Sequence, residues 1–526
     1  MPKVLVSDPI AQDGIDVLAG HAQVDVRLGL SPEELIAAIG EYEALVVRSE
    51  TKVTAQVFEA AKKLQVVGRA GVGVDNIDLQ AATNAGVIVV NAPLGNTISA
   101  AEHAVGLMLA LARHIPAASA SLREGRWERK RFMGVEVRGK TLGIIGLGQV
   151  GSEVAHRARG LEMHVLGYDP FVSEERAQVL GAEMVSLEEL LKRSDFISLH
   201  TTLTKDTRHL IGEAQLKLVK PTARIINTAR GPLIDEEALC RAVDEGRVAG
   251  AAIDVFAQEP PPSDNVLLKN DRILVTPHLG ASTAEAQERV AIDVAEQVVA
   301  VFDGQPARYA VNAPLIAAET LSVIGPYLDV AAKTASLGTQ LCEGQLGRIE
   351  IEYLGEIANY DVTPLKAAVI RGLLAPISEE NVTIVNANLV AEHRGLRITE
   401  RMGPYEGIYA NLITVRLTTT TGTTTVAGTM AHDGPHVVLL NGFWVDIPPG
   451  DGYLLICENK DRPGTIGAVG SYLGQNDVNV SFMRVGREKV RGRAVMVLGL
   501  DDPVTPAQLE EIQRIPNIFS ARLARI

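Results

Sequence analysis

A chain of 526 residues, 46% of them hydrophobic, is long enough for roughly three or four domains with cores of their own. Its 64 acidic and 50 basic side chains leave a net charge of -14, which argues against a broad nucleic-acid or anionic-membrane surface but leaves room for a local basic pocket. Cys240, Cys342 and Cys457 are far apart and form no CxxC pattern, so neither a disulfide framework nor a metal site is expected.

The apolar run at the N-terminus is short, interrupted by Asp8, and reads as no signal peptide. Residues 4–7 read as a strand and 12–18 as a helix. A strand over 45–48, a helix over 55–61 and strands over 66–68 and 88–90 continue the pattern. Such alternation predicts a parallel sheet covered by helices. Residues 96–113 are apolar at helical spacing. They include Glu102, His103 and Arg113, so the stretch predicts a helix crossing to a second unit rather than a membrane span. A soluble, cytoplasmic protein is the expectation.

The second unit runs from Thr141 to about Thr276, with strands predicted over 141–145, 164–168, 196–200, 224–227, 249–253 and 273–275. A helix over 282–302 is expected to return to the first unit, making that domain discontinuous: 1–97 with 285–316, around a second domain of 98–284. Residues 317–451 change character. Strands are predicted over 348–353 and 415–430, the latter a threonine-rich hairpin broken at Gly422. The run from Ile447 to Gly452 punctuates the chain, and 452–526 read as a small α/β unit.

The run Gly146-Leu147-Gly148-Gln149-Val150-Gly151 follows the strand over 141–145. In a dinucleotide site one glycine makes the turn, one lets amides approach a pyrophosphate, and one lets helix and strand pack closely. Asp169 ends the next strand, where a carboxylate accepts from ribose hydroxyls and repels a 2′-phosphate. The order of strand, turn, helix and acid predicts NAD rather than NADP.

Three polar residues follow later strands. His278 is suited to take a hydroxyl proton, Glu259 to orient its ring, and Arg230 to pair with a substrate carboxylate. Oxidation of a 2-hydroxy acid needs all three tasks. On the first unit, Arg48 and Ser49 end a strand and can hold an anion. Val72 and Gly73 offer amides, and Asn96 precedes a helix.

With these motifs the chain resembles the D-isomer-specific 2-hydroxyacid dehydrogenases along essentially its whole length. The segments 48–54, 71–76, 146–151, 227–231 and 276–280 carry the resemblance. It implies two Rossmann-like domains, an α+β intervening domain and a βαββαβ ACT domain. It implies that Arg230, Glu259 and His278 are catalytic and that Asp254 contacts the nicotinamide carboxamide. Thr202, Thr228, Ala229 and Arg230, with His278 and Gly280, would line the NAD pocket. The implied reaction is NAD-dependent oxidation of D-3-phosphoglycerate, the first step of phosphorylated serine synthesis. Arg48, Ser49, Val72, Gly73 and Asn96 would bind that substrate. Arg131, in the basic run 126–131, would reach a neighbouring subunit of a dimer or tetramer and supply phosphate-binding charge to the substrate there. Asn459, Asp461 and Asn479 match ACT positions that contact an effector, here L-serine. The basic residues Lys366, Arg371, Arg394, Arg397 and Arg401 of the intervening domain match a region that binds anions in some relatives. Two alternatives stay open: oxidation of another D-2-hydroxyacid, such as glycerate or 2-hydroxyglutarate, and a non-enzymatic NAD-sensing regulator.

Overall fold

The structure is a computed structural model describing residues 1–313, 318–378, 382–448, 450 and 452–525. The boundary expected between 316 and 317 and that at Asp451 fall outside these residues.

The first unit holds five parallel strands: β1 (Lys3–Val6), β2 (Gln23–Val26), β3 (Ala44–Val47), β4 (Val66–Arg69) and β5 (Ile88–Asn91). Their order is β2-β1-β3-β4-β5. Ala44, Leu45, Val46 and Val47 are all buried, because helices cover both faces. The sequence pattern does not disclose β2. Its alternation of Gln, Val, Asp and Val belongs to a half-exposed edge.

The second unit has seven parallel strands: β6 (Thr141–Ile145), β7 (His164–Tyr168), β8 (Ala182–Met184), β9 (Phe196–Leu199), β10 (Arg224–Asn227), β11 (Gly250–Ile253) and β12 (Ile273–Val275). The order β12-β11-β10-β9-β6-β7-β8 reverses between β6 and β9. Ligands of open α/β sheets bind outside the strand ends at such a reversal.

Two helices join the units. Thr97–Ala112 sets Ala101, Ala104 and Met108 into the core of the second sheet. Ala284–Phe302 sets Val290, Val294 and Val298 against Val4, Val46 and Val66 of the first. The returning helix therefore completes the first core. Among the described residues no single helix is long and apolar enough to cross a membrane.

Residues 346–447 form a six-stranded mixed sheet, with helices Tyr327–Leu341 and Thr363–Leu374 packed in its core. The threonine-rich run is a hairpin of Asn411–Thr419 and Thr423–Ala431, as its pattern predicts. The last unit is βαββαβ: Tyr453–Lys460, Thr465–Gln475, Val480–Arg487, Arg493–Leu500, Pro506–Arg514 and Ile518–Arg525. One face of its antiparallel sheet holds its helices. The other shares a core with the six-stranded sheet, where Leu454, Ile456, Val497 and Ala524 meet Leu337, Val437, Phe443 and Ile447. Gln340 also exchanges two hydrogen bonds with the backbone of Arg525, at 2.7 and 2.8 Å.

Candidate active site

The loop after β6 is shaped by what its glycines lack. Gly146 has φ +94°, and a Cβ there would sit 2.7 Å from the His200 carbonyl oxygen. A Cβ on Gly151 would collide with the Gly146 carbonyl. At Gly148 a Cβ would meet nothing within 4 Å, so this side of the loop is open. Gly148 also begins the helix Gln149–Gly160, and no side chain caps its amides. An open backbone at a positive helix end is a cradle for a pyrophosphate. Asp169 accepts from the Leu147 and Phe171 amides, each at 2.9 Å, so it fixes the loop and still has lone pairs free for a ribose. The hydroxyl of Thr228, just past β10, is buried without a hydrogen-bond partner. A buried orphan is costly unless a ligand satisfies it. These features fit a bound dinucleotide. Thr202 lies in an exposed loop after β9 and accepts from Thr207 through its carbonyl.

Beyond β10, the buried side chain of Asn227 donates to the Arg230 carbonyl at 3.0 Å and accepts from the Ala229 amide at 3.1 Å. The loop carrying Arg230 is therefore pinned to the end of β10 by Asn227. Arg230 gives Nη1 to the Ala229 carbonyl at 2.8 Å, and its Nε lies 3.4 Å from Asp75 of the first unit.

His278 Nδ1 lies 2.7 Å from Glu259 Oε2. Glu259 also accepts from the Phe256 amide at 3.0 Å. Burial alone would raise its carboxyl; the bonds from His278 and Phe256 outweigh that and hold it below the ordinary carboxylate value. An ionised Glu259 puts the imidazole proton on Nδ1, which leaves Nε2 free to accept. His278 has φ +54°, a left-handed conformation that costs a non-glycine residue roughly 1–2 kcal/mol. Its amide is tied to the Asp254 carbonyl at 2.8 Å.

Asp254 is the hub of that loop and fully buried. Its Oδ1 accepts from the Thr276 hydroxyl at 2.6 Å and the Leu279 amide at 2.8 Å, and its Oδ2 from the Gly280 amide at 3.0 Å. His103 Nε2, on the joining helix, approaches Oδ1 at 3.0 Å. Burial pushes this carboxyl up, but the donors, His103 foremost, hold it below its ordinary value. One lone pair of Oδ2 remains for a further donor. His103 is not evident from sequence, where it reads as one polar residue in an apolar helix.

Across from His278 lies a cleft of about 520 Å³ between the two units. Arg48, Ser49, Val72, Gly73 and Asn96 line it from the first unit, with Arg230, Glu259 and His278 from the second. Two further cations, Lys52 and Arg69, also line it. Burial and the charges of Arg230 and Arg48 lower Arg69 to about 10. The Arg69 Nε is buried without a partner. Asn96 precedes the helix Thr97–Ala112 but makes no capping bond, so its amide is free for a ligand. The Arg48 loop is braced from beneath: buried Asp8 accepts from the Arg48 amide at 2.6 Å, and Asn76 donates to the Arg48 carbonyl at 2.8 Å.

The other residues singled out from the sequence lie away from this cleft. Arg131 pairs with Glu128 at 3.3 Å and is half-exposed elsewhere on its own chain. In the last unit, Asp461 accepts from the Arg491 amide at 2.9 Å, and Asn479 donates to Asp501 at 2.6 Å. Asn459 pairs with Ala494 at one end of the strand Arg493–Leu500, while Asp501 follows its other end. Asn479 is thus on the order of 20 Å from Asn459 within one chain. Lys366 and Arg401 of the intervening region face Glu400 and Glu352, at 2.8 and 3.8 Å.

Comparison with known proteins accounts for this arrangement. Residues 105–280 match the D-isomer specific 2-hydroxyacid dehydrogenase NAD binding domain. Residues 323–440 match the D-3-phosphoglycerate dehydrogenase intervening domain, and 453–517 the ACT domain. A D-3-phosphoglycerate dehydrogenase of Synechocystis sp. is 46% identical over 100% of this chain and 95% of its own. One of Methanocaldococcus jannaschii is 45% identical over 98% of each chain. The chain belongs to the D-3-phosphoglycerate dehydrogenase family. A further relative of that name, from Bacillus subtilis, is 42% identical over 99% of both chains. Solved structures match the catalytic half. The apo-structure of D-lactate dehydrogenase from Escherichia coli covers 59% of this chain and 99% of its own, at 28% identity and a TM-score of 0.53. A glyoxylate reductase from Paecilomyes thermophila covers 59% and 98%, at 31% identity and a TM-score of 0.54. The D-3-phosphoglycerate dehydrogenase family thus shares its cofactor-binding core with other 2-hydroxyacid enzymes, and the NAD binding domain is common to them.

Proposed function

We propose that the protein oxidises D-3-phosphoglycerate to 3-phosphohydroxypyruvate with NAD, the entry to phosphorylated L-serine synthesis. The observation that carries this reading is the cleft itself. A histidine–glutamate pair faces a wall bearing Arg48, Lys52 and Arg69, a set of cations suited to a phosphate. Bound NAD would supply the hydride acceptor, held on the open side of Gly148 with Asp169 on its adenosine ribose and Thr228 toward its nicotinamide end.

Arg230 grips the substrate carboxylate through its Nε–Nη2 edge, which its own loop leaves unused. The phosphate lies against Arg48, Lys52 and Arg69, and the Val72 and Gly73 backbone and Asn96 close the remaining side. This two-ended grip presents the 2-hydroxyl to His278. Nε2 accepts the hydroxyl proton as hydride leaves the same carbon, and Glu259 stabilises the imidazolium. In the reverse direction the imidazolium returns the proton. Asp254 and His103 keep the His278 loop in place throughout.

Regulation follows from the last unit. Asn459 Oδ1 and Thr465 Oγ1 are buried without partners near its first turn, which suits an amino-acid effector such as L-serine. Asn479 joins that site only from a second copy, so the reading includes a homo-oligomer. The same assembly brings Arg131 to a neighbouring cleft. Three free cysteines in separate units are compatible with the cytoplasm.

The test is NADH formation from purified protein with D-3-phosphoglycerate, D-glycerate or D-2-hydroxyglutarate, with and without L-serine. Preference for the phosphorylated acid is expected. Equal or faster turnover of an unphosphorylated acid would overturn the assignment, and NAD binding without turnover of any of them would favour a sensor.

A further inference from the structure

Arg230 carries one bidentate edge that its own loop does not use. Nη1 is spent on the Ala229 carbonyl, so the Nε–Nη2 edge faces the opposite wall. On that wall stands a carboxylate, Asp75, with Oδ2 at 3.4 Å from Nε. Gly73 makes the meeting possible. A Cβ there would collide with Arg230 Nη2 and lie 2.8 Å from Asp75 Oδ2. The pair spans the cleft between the two units and stands beside Arg69, which Arg230 repels and Asp75 attracts.

A fork of two N–H groups accommodates one carboxylate at a time. We infer that Asp75 is an internal competitor for Arg230, which a substrate carboxylate must displace, and that it thereby sets the affinity of the cleft for anions. The inference rests on the reading of Arg230 as the partner of the substrate carboxylate. Asp75 is suited to leave. Its side chain is 76% exposed, against 31% for Arg230, so on release it gains water as a partner. It also tempers the concentration of positive charge. With Arg48, Lys52, Arg69 and Arg230 in one cleft, any phosphate-bearing anion is attracted, and a carboxylate among them weakens that pull for substrate and bystander alike. Asp75 accordingly acts on substrate and inorganic phosphate in the same direction.

The experiment compares wild type, Asp75→Asn and Asp75→Glu as full-length proteins. Wild-type turnover of D-3-phosphoglycerate is established first, and its absence sinks the reading of the site rather than the role of Asp75. An exposed ion pair changes an equilibrium by up to about fivefold. Asp75→Asn is therefore expected to lower KM for D-3-phosphoglycerate by roughly two- to fivefold, with a smaller change in kcat. Inhibition by inorganic phosphate should tighten by a similar factor, and both effects should shrink as salt is raised. Asp75→Glu, which retains the charge, should restore values close to wild type. A KM that rises or stays constant in Asp75→Asn, or a loss carried by kcat alone, would overturn the inference. A phosphate inhibition constant that does not move would do the same.

Discussion

Replacing Glu259 by Gln tests the central chemistry with the least structural disturbance. Glutamine keeps the shape and can still accept from His278 Nδ1, so the ring stays oriented while the charge is lost. At the observed 2.7 Å, a unit ion pair is worth about 1.5 kcal/mol in bulk water and about 6 kcal/mol at an effective dielectric of 20. His278 and Glu259 are 46% and 39% exposed, so solvent pulls the value toward the lower bound, roughly 2–3 kcal/mol. The imidazolium forms as the proton moves, so this loss falls on the barrier. Turnover should drop by about 30- to 150-fold. The assay is the initial rate of NADH formation at saturating D-3-phosphoglycerate, with NAD affinity measured separately by fluorescence and expected to be unchanged. By microscopic reversibility the reduction of 3-phosphohydroxypyruvate should slow as well. His278→Ala, which removes the base itself, should lose more. Turnover of Glu259→Gln within about threefold of wild type would refute the charge argument.

Gly148→Ala should leave the melting temperature close to wild type while weakening NAD binding by at least about tenfold, because the added methyl faces open space in the protein and a pyrophosphate in the complex. Gly151→Ala should lower both, since its methyl meets the Gly146 carbonyl; equal melting temperatures for the two variants would contradict the packing account. Asp254 has a carboxyl lowered by folding, so its contribution to stability is complete above its unfolded value near pH ~4 and is lost as pH falls through the lower folded value. Asp254→Asn should therefore flatten the acid side of a plot of melting temperature against pH, and an unchanged acid slope would remove Asp254 as its source. Asp461→Ala frees the Arg491 amide and should raise the serine concentration needed for half-inhibition; an unaltered serine response would exclude Asp461 from the effector site.

Local signals carried much of this molecule. The glycine loop, the strand ends bearing Arg48, Arg230 and His278, and the threonine-rich hairpin are legible because each depends on residues close in sequence. Edge strand β2 is not, because half-exposure dilutes its apolar pattern. The residues that hold the site in place are hidden for another reason. Asp8 braces Arg48 from 40 positions away, and His103 meets Asp254 from the joining helix, before the second sheet begins in the chain. An isolated Asp or His has no spacing to reveal such a partner. Likewise, the alternation in the last unit announces apolar faces without saying what covers them. That Asn479 and Asn459 stand at opposite ends of one sheet is visible only once the strands are paired.

The shared core of the two C-terminal sheets has a mechanical meaning. Leu454, Ile456 and Val497 pack with Phe443 and Ile447, so the last unit and its neighbour share one core. Such a core predicts that the two move as one body. It meets the catalytic half where Thr383 donates to the Gly86 carbonyl at 2.9 Å, just before β5, the strand that leads to the cleft-lining Asn96. A displacement of that body is expected to reach the catalytic half first at this contact.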